Sequence, residues 1–451
     1  MIELKLKTGE DVMLYPMLQG DDSFILLDEK NKKQLEGKIS NNNIIIEDWK
    51  DFESDNTDIQ LEQLYNDLIV SKQSGAEENE NQLQKDENPF NPEQIKVNAK
   101  QFSIKLITDM METKDIDISP DFQRHFVWNS SQKSRLIESL LLRIPLPNFY
   151  FAEDEEGRLT VVDGLQRLTT IRDFVNNKFP LKDLEYLDEG VRGRYYQDEG
   201  TKKGIDKKYF RWFNMTQLSV NVIDPSSPSN VKYDIFKRIN TGGRTLNYQE
   251  IRNCLSSQKV RTLLNNMVSL EEFKSATGGS LKPTRMADQE MALRFILFYD
   301  AYQKDNTLFN SYDGYMESSL DNTIEKYKNV TEEQSEKIVS RFSCAMKNAQ
   351  WLFGEKYAFR KVKSADLKEN AQRQLLNKAL FEAWSVLLAD ISPDDVRNKY
   401  CEGYLSSKFA SLLESDKDLM YYLSYGTNGK ANMVYIFKTI ESWLNKELDL
   451  L

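Results

Sequence analysis

Residues 160–170 constrain this chain more than any other stretch, because they change from strand-like to helix-like character within a few positions. Val161 and Val162 favour a strand, and the following Asp163-Gly164 pair favours a tight turn. Residues 165–170 then favour a helix. Backbone N–H groups at the start of such a helix attract anions, phosphate above all. The pattern therefore predicts an anion-binding turn between a strand and a helix.

Three side chains of this turn suit phosphate chemistry. Arg167 can hold two oxygens of one phosphate, which lysine does less well. Asp163 can bind Mg²⁺ or orient a water, and Gln166 can orient a nucleotide or water. Gly164 permits close approach of the backbone. The structural alternative is that Asp163 caps the helix and pairs with Arg167, and this segment alone leaves both interpretations open.

A second candidate segment lies upstream, where Gln123 and Arg124 follow a Pro-Asp turn and stand between aromatic residues. Asn129 or Ser130 can cap the next helix. We expect that helix to bury its apolar positions Leu136, Ile137, Leu140 and Leu141. Lys133 and Arg135 near its start oppose the helix dipole, which an anion nearby would offset. The alternative is an amphipathic helix with exposed basic residues.

A third candidate segment spans residues 236–247 and centres on a glycine pair. Two adjacent glycines end a helix and expose backbone N–H groups that can bind an anion. Asn247 or Tyr248 then starts another helix. The alternative is a glycine cap between two helices. The candidate nucleotide-binding residues here are Arg238, Asn240, Thr241, Gly242 and Gly243.

The chain divides into four segments of different character, and an α+β fold is predicted. Residues 1–50 alternate in short runs typical of a small all-β domain. Residues 51–95 predict a helix from Asp58 to Val70 and then an acidic flexible linker. Residues 96–255 mix strand and helix signals. Residues 256–451 are mainly helical, with apolar stripes at 286–302, 375–388 and 434–448 that indicate core packing.

Composition excludes several kinds of site. The net charge of -11 argues against a uniformly basic DNA coat, although a local basic face stays open as an alternative. The one histidine, His125, leaves HNH, Ser-His-Asp and multi-histidine zinc sites without enough ligands. The three cysteines are expected to be free thiols. No apolar run reaches transmembrane length and the start lacks a signal peptide, so we expect a cytoplasmic protein without a membrane partner.

Taken in order, the three segments resemble one family, typified by the GmrS half of GmrS/GmrD modification-dependent restriction systems. Its Asp-Gly-Gln-Gln-Arg hallmark stands here as residues 163–167, with Leu165 in place of the first glutamine. The resemblance runs from residue 96 to about 445. It implies a ParB/sulfiredoxin-like mixed core and a divalent-metal-dependent nucleoside triphosphatase in anti-phage defence. Many relatives add a C-terminal HNH domain. No histidine follows His125 here, so we expect a nuclease, if one is needed, to come from a partner protein.

Three hypotheses follow. In the first, the chain is an NTP-hydrolysing sensor or regulatory subunit of a DNA-targeting defence system, and it can form a homo-oligomer. Asp163, Gln166 and Arg167 are then catalytic, and Asp163 binds Mg²⁺. Leu165 limits this hypothesis unless it packs inward. In the second, the chain binds DNA or a nucleotide without hydrolysis. The third, a stand-alone metal-dependent nuclease, has the least support, because no compact run of nuclease carboxylates and lysines stands out.

The second hypothesis depends on a basic segment with interleaved aromatic residues, which could form a nucleic-acid surface. Nearby acids at Asp198, Glu199 and Asp206 favour the alternative of a solvated loop that neutralises itself. The basic residues are Arg192, Arg194, Lys202, Lys203, Lys207, Lys208 and Arg211, and the aromatic residues are Tyr195, Tyr196, Tyr209 and Trp212.

Overall fold

The computed structural model divides the chain into two compact units. One unit comprises residues 86–255, and the other comprises residues 1–85 together with 256–451. The N-terminal sheet and the C-terminal helices therefore belong to one unit. The structure describes residues 2–18, 23–28, 32–40, 43–53, 58–77, 96–118, 128–227, 232, 235, 247–305, 309, 311–368, 371 and 373–449.

The N-terminal residues form the antiparallel sheet that their alternation predicts. Its strands pair with their neighbours in chain order. Every second residue points into a shared core, which holds Leu4, Leu14, Phe24 and Leu35. The strands are β1 (Ile2–Lys5), β2 (Asp11–Leu18), β3 (Ser23–Leu27), β4 (Lys33–Ser40) and β5 (Asn43–Ile46).

Helix α1 (Asp58–Ser74) covers this sheet and ends against the helical part of the same unit. Leu64 and Leu68 pack into the core of the sheet. Beyond the helix, the Glu77 N–H donates to Leu376 O at 2.8 Å, and Lys361 Nζ lies 3.0 Å from the Glu77 carboxylate. The start of the predicted linker is thus anchored, while residues 78–95 lie outside the described residues.

A mixed five-stranded sheet with helices on both faces forms the unit of residues 86–255. The strand order is β6-β10-β8-β9-β7, with β10–β8 and β7–β9 parallel and the other pairs antiparallel. The elements are β6 (Val97–Ser103), α2 (Ile104–Glu112), β7 (Ile116–Asp117), α3 (Ser130–Leu141), β8 (Phe149–Glu153), β9 (Leu159–Asp163), α4 (Leu165–Val175), α5 (Lys207–Met215), β10 (Gln217–Ile223) and α6 (Tyr248–Leu255).

Two apolar cores hold this sheet. On one face, α2, α3, α4 and α5 bury residues such as Ile137, Leu168 and Phe213. On the other, α6 packs Ile251 and Cys254 against β9 and its neighbours. The predicted burial of Leu136, Ile137, Leu140 and Leu141 is confirmed. The mixed sheet confirms the predicted α+β class, and the ParB-like relationship stays a prediction.

The C-terminal region is helical, as predicted. All three predicted apolar stripes form helices, at α9, α12 and α16, and they pack into one large core. The helices are α7 (Gln258–Ser269), α8 (Glu271–Thr277), α9 (Ala287–Asp305), α10 (Met316–Lys326), α11 (Glu332–Phe353), α12 (Lys378–Leu387), α13 (Pro393–Lys399), α14 (Ser406–Ser415), α15 (Lys417–Tyr422) and α16 (Lys430–Glu447). The cysteines Cys254, Cys344 and Cys401 are free.

Two arginines are fully buried in this helical region. Arg294 lies between two carboxylates, 2.8 Å from Glu290 and 2.7 Å from Glu382. Arg360 donates to the carbonyl oxygens of Thr277 and Ala358 at 2.7 Å and to that of Gln374 at 2.9 Å. Buried charges need such partners, so both arginines tie loops and helices together.

Candidate functional site

The predicted strand, turn and helix form at the Asp163–Arg167 turn. Strand β9 ends at Asp163, Gly164 has a φ of +98°, and α4 begins at Leu165. A Cβ atom at Gly164 would stand 2.3 Å from Phe149 Cδ1. Only glycine meets both conditions without strain, because other residues rarely adopt this φ and would collide with the ring. Glycine at position 164 therefore determines the backbone conformation of this turn.

Arg167 is held on several sides. Its guanidinium lies 4.1 Å from the centre of the Phe149 ring, donates to Pro147 O, and donates to Asn148 O at 3.2 Å. Nη2 also lies 2.9 Å from Asp163 Oδ2. Burial lowers the pKa of Arg167, and the Asp163 carboxylate acts in the opposite direction. The result is a positive charge in a fixed position beside a partly hydrated carboxylate.

The structural alternative, in which Asp163 caps the helix and pairs with Arg167, holds in one respect and fails in the other. The ion pair between Asp163 and Arg167 is present. However, Gly164 rather than Asp163 occupies the N-cap position, so no side chain caps the start of α4. The Asp163 side chain is 40% exposed, whereas that of Arg167 is 13% exposed. Asp163 therefore presents an oxygen to the surroundings while Arg167 fixes its orientation.

Several polar groups in the first turn of α4 form no hydrogen bond within the described part of the chain. The first intrahelical bond runs from Leu168 N–H to Gly164 O, at 2.9 Å, so three N–H groups precede it. Gln166 Oε1 is buried and has no hydrogen-bond partner in the described part of the chain. Leu165 and Leu168 instead pack on the core, so the departure from the family hallmark falls on a packing position. A phosphate can accept hydrogen bonds from these N–H groups, and a polar group attached to it can donate to Gln166 Oε1.

The other two candidate segments cannot be placed, because residues 119–127 and 236–246 lie outside the described residues. They contain the predicted binding residues Gln123, Arg124, Arg238, Asn240, Thr241, Gly242 and Gly243, together with His125. The convergence of three segments on one site therefore stays a prediction.

The described flanks of these segments match their predicted local structure. Trp128 packs on the core, and Asn129 caps α3 in a reciprocal capping box with Gln132. Asn247 precedes α6 and exchanges backbone-to-side-chain hydrogen bonds of 2.7 Å with Glu250. Both predicted helix starts are thereby confirmed.

Lys133 and Arg135 have partners of their own. Lys133 Nζ lies 3.9 Å from Asp173 and 5.5 Å from the centre of the Phe179 ring. Arg135 forms a 2.9 Å ion pair with Glu185. Their position near the start of α3 therefore needs no bound anion, and they give no support to the predicted site.

Helix α6 contributes buried amides that sequence reasoning missed. Gln249 is 1% exposed, and neither oxygen nor nitrogen of its side chain has a hydrogen-bond partner in the described part of the chain. Asn253 Nδ2, one turn further on, is also without one. Because α6 packs on β9, these amides belong to the neighbourhood of the strand that ends at Asp163. The spacing of Gln249 and Asn253, one helical turn apart, was the sequence feature that could have predicted two amides on one face of α6.

The basic segment 192–211 divides into two parts. Its first part neutralises itself: Arg192 pairs with Asp188 at 2.8 Å, and Lys202 pairs with Glu199 at 2.9 Å. Arg194 lies 3.8 Å from Asp206, and Tyr196 is buried in the core. In α5, by contrast, Lys208 and Arg211 form no ion pair with any described residue.

In the described part of the chain, no group of three or more histidine, cysteine, aspartate or glutamate residues could hold a metal ion. A magnesium ion that binds substrate phosphates needs only one or two protein carboxylates. Asp163, partly exposed at the turn, fits that smaller requirement. Among the described helices, none is long and apolar enough to cross a membrane.

Comparison with known protein families gives one match. Residues 107–256 match the family described as the GmrSD restriction endonuclease, N-terminal domain. The match covers about a third of the chain and includes the Asp163–Arg167 turn, both segments outside the described residues, and α6. It supports a relationship of this region to GmrSD-like restriction endonucleases. Searches of curated proteins and of solved structures found no match.

Proposed function

We propose that this chain is the NTP-binding and NTP-hydrolysing sensor or regulatory subunit of a restriction-type anti-phage defence system. The observation that carries the proposal is the fixed Arg167 guanidinium beside Asp163, at a helix start whose N–H groups are uncapped. The match of residues 107–256 to the GmrSD N-terminal domain supports the defence role and DNA as the target. The DNA-cutting activity would come from a separate partner protein.

Each residue of the turn has a role in this proposal. Arg167 neutralises phosphate charge, and its carbonyl and ring contacts hold it in place before the substrate arrives. The N–H groups at the start of α4 bind a phosphate oxygen. Gln166 orients the attacking water or the nucleotide through its unpaired Oε1. A bound Mg²⁺, held by Asp163 and the phosphates, would neutralise charge on the phosphate oxygens.

The same geometry also suits a non-enzymatic module that binds a nucleotide or DNA as a switch. Lys208 and Arg211 of α5, which form no ion pair with any described residue, favour this second function. The two functions differ in a single observable, which is release of phosphate. They share the need for Arg167.

The test is phosphate release from each of the four NTPs with Mg²⁺, with and without modified phage DNA. Asp163→Asn keeps the size of the side chain and removes its charge, and we expect turnover to fall by about 10²-fold or more, as for loss of one group that stabilises the transition state. Arg158→Gln is the control for loss of one charged group elsewhere in the same hairpin, because Arg158 pairs with Asp154 at the opposite end of β8–β9.

Asp163→Asn is preferable to Arg167→Ala as the decisive variant. Removing Arg167 also frees the carbonyl groups of Pro147 and Asn148, so a loss of activity would have two explanations. Hydrolysis by Asp163→Asn at the wild-type rate would refute the catalytic assignment. Nucleotide binding by the wild type without any hydrolysis would favour the switch.

A further inference from the structure

Two cations stand over one indole ring on the surface of the 86–255 unit. The Arg143 guanidinium lies 4.4 Å from the centre of the Trp212 ring, and Lys208 Nζ lies 4.5 Å from it. Cation–π contacts orient such groups without neutralising their charge. Arg143 also has a φ of +61°, an uncommon value for a residue other than glycine. We call Arg143, Lys208, Arg211 and Trp212 the α5 basic surface.

No ion pair among the described residues involves this surface, and Asp206 at the N-terminus of α5 lies 3.8 Å from Arg194 instead. Arg143, Lys208 and Arg211 form none of the ion pairs found in the described part of the chain. The acid that α3 contributes, Glu138, is 3% exposed and accepts hydrogen bonds from the N–H groups of residues 185–187. Positive charge therefore accumulates here although the chain as a whole carries -11.

The α5 basic surface lies close to the Asp163–Arg167 turn. Arg143 begins the loop that leads from α3 to β8, and Arg167 donates to Pro147 O four residues further on. An extended chain spans at most about 14 Å over four residues, so Arg143 lies within about that distance of the residue that Arg167 contacts. All these residues belong to the same compact unit.

We propose that the α5 basic surface binds the phosphodiester backbone of DNA and places the strand beside the Asp163–Arg167 turn. Oriented cations that form no ion pair with the described residues match a row of phosphates, which neutralise them as counterions leave. Met215, 75% exposed, and Ile144, 49% exposed, flank the cations and supply apolar contact for sugars or bases. The inference rests on the proposed function, since it names where that function meets DNA.

The test uses the full chain and a fluorescently labelled DNA duplex, with anisotropy measured from 50 to 200 mM salt. We expect Lys208→Gln/Arg211→Gln to weaken binding by about ten-fold or more and to reduce the salt slope by about 1.8, or 0.9 per lost phosphate contact. Arg158→Gln/Arg192→Gln is the matched control, because it removes the same charge from arginines paired with their own aspartates. We expect it to change affinity by less than about two-fold.

Several outcomes would overturn the inference. These are an unchanged affinity and salt slope in the α5 variant, an equal loss in the control, and displacement of DNA by polyglutamate at matched charge. Absence of salt-dependent DNA binding by the wild type would also overturn it. Phosphate release without DNA is measured in parallel and should be unchanged in the α5 variant. A wild type that binds DNA but releases no phosphate would refute the proposed hydrolysis and leave this inference intact.

Discussion

Arg167 and Arg294 show two ways in which one side chain can be used in this chain. Arg294, in the helical region, is fully buried between Glu290 and Glu382. Arg167 is held by carbonyl oxygens, an aromatic ring and one partly exposed carboxylate. The difference lies in access: no part of Arg294 reaches solvent, whereas the Arg167–Asp163 pair does. A closed pair holds the fold, and an accessible pair can meet a ligand.

Arg360 extends the comparison. It is as buried as Arg294, but carbonyl and hydroxyl oxygens are its partners. Burial lowers the pKa of Arg360 to about 9, and the like charge of Arg373 adds to the effect. Fixing an arginine is therefore common to both units. The Asp163–Arg167 turn differs from these buried arginines because Gln166 Oε1 and the first N–H groups of α4 have no hydrogen-bond partner among the described residues.

The largest effect is expected from Arg294→Met. This change removes the Arg294 guanidinium that lies 2.7 Å from buried Glu382, which should lower the free energy of unfolding by about 3–5 kcal/mol. Urea titration of the full chain measures it. Arg341→Met is the control, because Arg341 pairs with Asp390 at the surface and should cost about 0–1 kcal/mol. Equal effects of the two variants would mean that the closed pair is no more structural than a surface pair.

A smaller effect is expected from Gly164→Ala, compared with Gly157→Ala. Both glycines have positive φ, +98° and +80°, so the backbone strain is common to the two variants. At Gly157 an added Cβ meets nothing within 4 Å, whereas at Gly164 it collides with Phe149. Gly164→Ala should therefore cost about 1–3 kcal/mol more in unfolding free energy, the usual cost of overpacking. If both variants cost the same, the ring does not constrain the turn.

Local patterns predicted much of this fold. Alternation located the N-terminal strands other than β4, helical spacing located α9, α12 and α16, and polar caps located the starts of α3 and α6. These features depend on residues a few positions apart, which sequence reasoning handles well. The Asp-Gly turn was found for the same reason, since its strand, glycine and helix are contiguous.

Contacts between distant residues could not be predicted. Arg294 and Glu382 are far apart in sequence, and nothing in either segment names the other. Phe149 and Pro147 determine how Arg167 is held, yet they lie on a different strand and loop. The division of the basic segment also depended on folding, because the fold brings Arg143 and Lys208 together at the Trp212 ring. Charge patterns alone could not separate paired cations from unpaired ones.

Hydrogen exchange of the backbone with and without NTP and Mg²⁺ tests the central claim most directly. The N–H groups of residues 165–167 precede the first intrahelical bond of α4 and should exchange readily in the free protein. The account predicts that bound NTP slows exchange in the peptide covering residues 160–170, and that Arg158→Gln leaves this slowing unchanged. NTP binding that protects other segments while residues 160–170 exchange as before would contradict it.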